Sequence, residues 1–302
     1  MNQLIQDKKM FMNTFVEFSA WTSLDRYEVY KLFDKGFAKF QTVVDKFSRF
    51  NTHSELSFLN SSQGRKVIVS KELFKLINYA LKIAGETNGT FDPTVIDFLE
   101  TYGYDSAYNF HKLQHRDLVE KEIKKILENR PSYKDIKLFE NTYTIQLAQN
   151  QRVDLGGIGK GYAIDLAYRE LGPLENYIIN AGGDIRVKGT YKDKAWEVGL
   201  NVPAIGKIGK VRLNNEAICC SGSWARKVKF FHHLINPQTG SPQSKVLTVF
   251  VIRDSAKEAD AWTTALYASG KSAFNLAKKC TIKALIIYNK YLIKTNKFPH
   301  IC

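Results

Sequence analysis

Between Val153 and Asp165 the chain reads Val-Asp-Leu-Gly-Gly-Ile-Gly-Lys-Gly-Tyr-Ala-Ile-Asp, with four glycines and one lysine in the six residues from 156 to 161. A short apolar strand leads into this run and an amphipathic helix leaves it. The fold must therefore contain a strand–loop–helix turn whose backbone a ligand can reach. Glycine lets main-chain N–H groups approach a guest closely, and a helix N-terminus favours negative charge. The natural guest is a phosphate. Two familiar phosphate loops do not fit. A Walker loop needs glycine where Asp154 stands and Ser or Thr where Gly161 stands. A dinucleotide fingerprint needs G-x-G-x-x-G, and Gly157-Ile-Gly159-Lys-Gly161 is one residue short of it.

The surrounding pattern is α+β. Residues 10–20 alternate well enough for a first strand. Residues 25–47 place Val29, Leu32, Phe33, Phe37, Phe40, Val44 and Phe47 at three- and four-residue steps, the signature of a helix with a core-facing stripe. Ser70 can cap a second helix running to about Gly85, and a polar helix covers residues 117–129. Residues 136–139 and 142–147 read as a hairpin around Glu140-Asn141. From Asn176 onward strands dominate: 177–180, 185–188, 196–200, 211–213, 217–220, 228–234 and 246–252. Ser255 and Glu258 form a capping-box pattern that opens a helix. A short helix at 273–279 and two final strands close the chain. Helices, then strands, then a helix favour α+β over a doubly wound sheet. With no linker or repeat, residues 1–302 are expected to form a single domain.

The formal net charge of +14 permits nucleic acid, an anionic membrane or an acidic partner. The lysines are scattered, however, and no arginine-rich stripe or aromatic–basic repeat supports nucleic acid. Cys219 and Cys220 are adjacent, with Cys280 and Cys302 far away, so no metal-ligand spacing appears and reduced thiols are the simplest account. The first residues lack an apolar signal region, and no stretch reaches transmembrane length. A cytoplasmic protein without a transmembrane segment is the expectation.

Several residues can carry chemistry. Asp260 and Thr264 lie four apart on one expected helix, so their oxygens share a face. A carboxylate and a hydroxyl together suit Mg²⁺, although Asp260 can also simply complement the helix dipole. His233, near a turn, titrates in the range of a general base; an exposed or structural histidine is the alternative. A cation at Lys160 opposes the helix dipole, which argues for an anionic partner such as phosphate. Phe50 can stack on a base.

Six segments together resemble the ApbE family of flavin transferases. Residues 153–165 resemble D-L-G-G-I-A-K-G-Y-A-x-D. Ser54-Glu-Leu-Ser-Phe-Leu-Asn60 resembles S-E-L-S-x-L-N. Gly89-Thr-Phe-Asp-Pro-Thr-Val95 resembles G-x-F-D-P-T-V. Asn180-Ala-Gly-Gly-Asp184 resembles N-x-G-G-D. His233-Leu-Ile-Asn-Pro-Gln-Thr-Gly240 resembles H-I-I-D-P-x-T-G. Ala259-Asp-Ala-Trp-Thr-Thr-Ala-Leu266 resembles A-D-A-L-x-T-A-L. The six occur in family order across most of the chain.

The resemblance implies an ApbE-like, T-fold-related architecture of two lobes, with mixed or antiparallel sheets, flanking helices and FAD in the groove between the lobes. It implies Mg²⁺ on Asp260, Thr264 and the Gly159 carbonyl, and His233 as base. It implies flavin-site positions at Met12, Phe50, Thr90, Phe91, Asp92, Asp154, Gly156, Lys160, Gly183, Asp184 and Thr239. The implied reaction moves FMN from FAD to a Ser or Thr hydroxyl of an acceptor protein bearing a D-x-x-[ST]-G-A-[ST]-like segment, releasing AMP. An FAD pyrophosphatase using water and a non-catalytic FAD-binding protein are the alternatives. The chain departs from the family pattern at Asn13 (usually Gly), Gly159 (Ala), Trp224 (Tyr) and Asn236 (Asp).

Overall fold

Period-two alternation of apolar side chains builds one eight-stranded sheet. Its strands are β1 Gln3–Phe11, β2 Thr14–Thr22, β3 Tyr177–Ala181, β4 Asp184–Lys188, β5 Ala217–Gly222, β6 Val246–Arg253, β7 Lys283–Tyr288 and β8 Leu292–Lys294. They lie side by side in chain order, each antiparallel to the next. The structure is a computed structural model and describes residues 1–105, 110, 115–224, 227–228 and 231–302.

The sheet is buried on both faces across its second half. In β6, Val249 and Val251 point into the main core, and Phe250 and Ile252 point into a second one. The main core lies beneath the helices α1 Arg26–Phe47, α2 Glu55–Ser61, α3 Lys71–Glu86, α4 Ile96–Thr101, α5 Arg116–Asn129, α6 Gly159–Glu170, α7 Ala256–Ser269 and α8 Ala273–Lys279, with α4 and α5 set apart. The second core is closed by the hairpin Trp196–Val202 and Gly206–Leu213. A third, smaller cluster joins α4 and α5 to the segment around Phe231 and Ile235.

Helix α1 starts where Asp25 accepts a hydrogen bond from the Tyr27 N–H at 2.8 Å. Its aromatic stripe packs on β2, with the Phe37 and Phe18 rings stacked at 4.2 Å. Gly36 is needed there, because a Cβ would stand 2.7 Å from Leu171 and 2.8 Å from Phe18. Val44 departs from the expected stripe by lining a cavity instead of the core.

Two local readings are corrected, and one helix stands in a segment read only for its motif. The expected first strand at 10–20 is two strands, broken by Met12 and Asn13 with φ of 51° and 60°. Two successive positive φ values make a tight hairpin turn, and asparagine tolerates that region better than most side chains. The Asn13 departure thus keeps the turn that glycine would make. The Ser54 segment is a helix, α2, whose first turn is capped by the Ser54 hydroxyl on the Ser57 N–H at 3.0 Å. The expected strand at 228–234 lies partly outside the described residues. Its described part is broken into the two-residue strands Lys227–Val228 and Phe231–His232, with Ile235–Asn236 after them.

Candidate active site

The glycine run is positioned by hydrogen bonds from three other segments. Asn60 pairs with Val153 through both amide atoms, donating to its carbonyl at 2.9 Å and accepting from its N–H at 2.7 Å. Pro93 accepts from the Asp154 N–H at 2.7 Å. Asp154 turns the chain by accepting from the Gly156 N–H at 2.8 Å, and its second oxygen meets Arg49 at 2.8 Å. The Ser54 and Gly89 segments therefore build the loop's support.

Beyond the loop, α6 packs tightly on α7. A Cβ at Gly161 would lie 2.3 Å from the Ala256 carbonyl oxygen and 2.8 Å from the Asp260 Cβ. One at Gly157 would lie 3.2 Å from the Thr264 methyl carbon. Asp165 closes the arrangement by accepting from the Ala256 and Lys257 N–H groups at 2.8 and 3.0 Å, which caps α7. Gly159 has open space where a Cβ would go, so the family's usual alanine differs little in shape. We predict that Gly159→Ala leaves thermal stability almost unchanged, whereas Gly161→Ala costs about 1–3 kcal/mol through a clash that backbone cannot relieve. Equal melting temperatures for the two variants would contradict this packing.

These elements enclose a cavity of about 800 Å³. Twelve of the sequence-predicted positions line it: Met12, Phe50, Thr90, Phe91, Asp92 and Asp154 together with Gly156, Gly159, Lys160, His233, Asp260 and Thr264. Three do not. Asp184 sits just beneath, 1% exposed, bonded to the Cys220 N–H at 3.0 Å and ion-paired with Lys160. Gly183 makes the turn above it, its N–H bound to Asn180 at 2.9 Å, and Gly182 takes the place on the wall. Thr239 is exposed in a turn closed by its N–H on the Asn236 carbonyl at 3.2 Å.

The charges on the cavity floor are coupled. Asp260 is 4% exposed and accepts from the Gly161 N–H at 2.9 Å. Burial pushes its carboxyl up to about 6, opposed by Lys160 and reinforced by Asp184. Burial also works against the Lys160 ammonium, but Asp184 and Asp260 outweigh it and raise its pKa above the ordinary lysine value. The Cys220 thiol is pushed up to about 12, by burial and by Asp184, so it stays protonated and unreactive.

Asp260, Thr264 and Gly159 line the same cavity, and their oxygens are hard donors of the kind that would suit Mg²⁺ better than a soft metal. Among the described residues no group of three or more His, Cys, Asp or Glu side chains can hold a metal ion, so a metal bound here would need hydroxyl or carbonyl oxygen as well.

His233 and His232 have separate roles. His232 is 5% exposed, with Nε2 at 2.6 Å from the Gln243 carbonyl and Nδ1 accepting from the Leu234 N–H. It is structural. His233 faces the cavity, its ring edge-on to Tyr104 at 6.1 Å. The Asn236 side chain accepts from the Gln238 N–H at 2.8 Å, a turn bond that an aspartate would make equally well. The Asp92 carboxylate is taken up by Arg130 at 2.8 Å and by Thr94 at 2.8 and 2.6 Å. It folds the turn that carries Thr90 and Phe91.

Arg49, Tyr104 and Asp165 were not identified as functional from the sequence. Only Asp165 had a signal, as the last residue of the glycine motif. Trp224, 37% exposed, lies on the cavity wall and packs over Gly222, where a Cβ would meet the indole nitrogen at 2.2 Å.

Comparison with known proteins points in one direction. The ApbE family profile matches residues 12–286. A FAD:protein FMN transferase of Rhodobacter capsulatus is 30% identical over 245 residues, which cover 77% of this chain and 46% of that protein. A protein of the same name from Buchnera aphidicola subsp. Schizaphis graminum is 28% identical over 267 residues, 83% of this chain and 74% of its own length. The chain thus spans about half of the Rhodobacter relative and about three quarters of the Buchnera one. Among solved structures, an ApbE protein from Thermotoga maritima has a TM-score of 0.88 at 26% identity, with 98% of both chains covered. Flavin transferase ApbE from Vibrio cholerae has a TM-score of 0.85 at 21% identity, with 99% of both covered, a likeness of fold.

Proposed function

The chain belongs to the ApbE family, and from that premise we propose that it is a FAD:protein FMN transferase. The observation that carries this reading is the convergence of Asp260, Thr264, Gly159, Lys160 and His233 on one cavity of about 800 Å³. The volume suits a substrate of dinucleotide size. Asp260, Thr264 and the Gly159 carbonyl would hold Mg²⁺, which supplies Lewis-acid stabilisation of charge on the diphosphate. Lys160, kept charged by Asp184 and Asp260, adds a fixed cation at the phosphates.

His233 accepts the proton of a Ser or Thr hydroxyl on the acceptor protein. The freed oxygen attacks the phosphorus on the FMN side of FAD. A new P–O bond to the acceptor forms, the P–O–P bridge breaks, and AMP departs with the bridging oxygen. FMN remains joined to the acceptor through a phosphoester. A second reading, hydrolysis to FMN and AMP, uses the same residues with water as nucleophile. Phe50 and the glycine loop would bind the adenine and diphosphate ends, and the acceptor segment would be of the D-x-x-[ST]-G-A-[ST] type.

The test is incubation with FAD, Mg²⁺ and a protein bearing that segment, followed by a denaturing gel read for flavin fluorescence. A fluorescent acceptor band that EDTA removes is the expected result. Free FMN and AMP without a band would replace transferase by hydrolase, and intact bound FAD would leave a binding protein. Among the described residues no helix is long and apolar enough to cross a membrane.

A further inference from the structure

Arg49 follows α1 and is nearly buried, with 8% of its side chain exposed. It lines the cavity, yet the reaction as written gives it no role. Its guanidinium reaches partners in two other segments. In the glycine loop it meets Asp154 at 2.8 Å, the carboxylate whose other oxygen holds the Gly156 N–H. In and just after α4 it meets Glu100 at 3.4 Å and donates to the Tyr104 carbonyl. The Tyr104 ring, part of the third apolar cluster, packs on His233. Lys160 stands on α6, and Asp260 and Thr264 stand on α7, helices whose apolar residues join the main core. A planar five-donor fork can serve several acceptors at fixed angles, which lysine cannot do.

We propose that Arg49 is a positioning residue that sets the His233 ring against the glycine loop by tying Asp154 to Glu100 and Tyr104. The inference rests on the reading of His233 as base. Charge pairing alone does not explain Arg49, because Arg152 also pairs with Glu100, at 2.8 Å, and with Asp97. Arg152 supports α4, but its ion pairs reach neither Asp154 nor Tyr104. It is therefore the control.

The experiment compares Arg49→Gln, Arg49→Lys and Arg152→Gln in the full chain by two readouts. The first is single-turnover AMP release from FAD with Mg²⁺ and the acceptor protein, alongside FAD affinity from flavin fluorescence. Arg49→Gln and Arg49→Lys are expected to slow release about tenfold to a hundredfold, the usual cost of a small misplacement of reacting groups, with a smaller loss of affinity because Arg49 also packs on the Phe50 ring at 4.1 Å. Arg152→Gln is expected to lower the melting temperature with much less loss of rate. The second readout needs no turnover. The chain has six histidines, and the ring-proton resonance of His233, identified by its loss in His233→Ala, is expected to move in both Arg49 variants and stay in Arg152→Gln. A His233 resonance unmoved in Arg49→Gln, or moved equally in Arg152→Gln, overturns the inference. Wild-type protein that releases no AMP would instead overturn the base assignment, and the resonance would still decide the role of Arg49.

Discussion

Replacing Asp260 by alanine is expected to abolish Mg²⁺-dependent turnover, a loss on the order of 10³-fold, while the protein still binds FAD. Three features of the site support this. Asp260 lines the cavity one helical turn from Thr264. Among the described residues its side chain takes one hydrogen bond, from the Gly161 N–H, so an oxygen remains for a ligand. Burial makes the carboxylate costly even with Lys160 opposing it, pushing its pKa up to about 6, and a further cation would relieve that cost. The same burial gives a sign for pH. As pH falls through about 6 the carboxyl takes up a proton, becomes neutral and stops attracting Mg²⁺, so the Mg²⁺ concentration for half-maximal rate should rise on the acid side. The checks are a Mg²⁺ titration of AMP release at several pH values and FAD binding by fluorescence. Full activity in Asp260→Ala would remove it from the metal site.

The second large effect is expected at His233. Alanine there should leave FAD affinity intact and slow transfer by roughly 10²–10⁴-fold, the usual contribution of a positioned general base. His232→Ala is a different lesion. It removes the Gln243 and Leu234 hydrogen bonds, so it should lower stability and leave the transfer rate of the folded protein largely unchanged. Melting temperatures and transfer rates for both variants separate the cases. Transfer unchanged in His233→Ala would move the base elsewhere.

Much of the site was legible in the sequence because short-range rules govern it. A four-residue spacing on a helix puts Asp260 and Thr264 on one face whatever surrounds them. The two histidines do face different ways, but the strand expected to alternate them ends at His232. Distant pairings were not legible. Arg49 and Asp154 are far apart in sequence, and nothing in either segment announces their ion pair. The Asp92 carboxylate lines the cavity as expected, but its ion pair with Arg130, a residue of another segment, was not foreseen. Thr239 and Gly183 matched motifs, yet the fold turns them away from the wall and presents Pro237 and Gly182 there. A motif gives residue types, and only tertiary packing decides which side of a turn faces the ligand. Helix α2 was missed for a related reason: a seven-residue helix has too few turns to show periodicity.

The eight strands run side by side in chain order, but β2 and β3 are separated by residues 23–176, which include α1 to α6. That pairing closes by far the longest loop in the sheet. Closure entropy grows with loop length, and contacts distant in sequence form late. Strands β3 to β8, joined by shorter excursions, can assemble first as a scaffold. The cavity, which needs segments from both sides of the long excursion, is then the last part of the molecule to form. In a refolding reaction followed by pulsed hydrogen exchange, amides of β6 and β7 should be protected before those of β2, with FAD binding appearing only in the final phase. Catalytic competence would report completed folding in this chain, because no early intermediate holds both walls of the cavity.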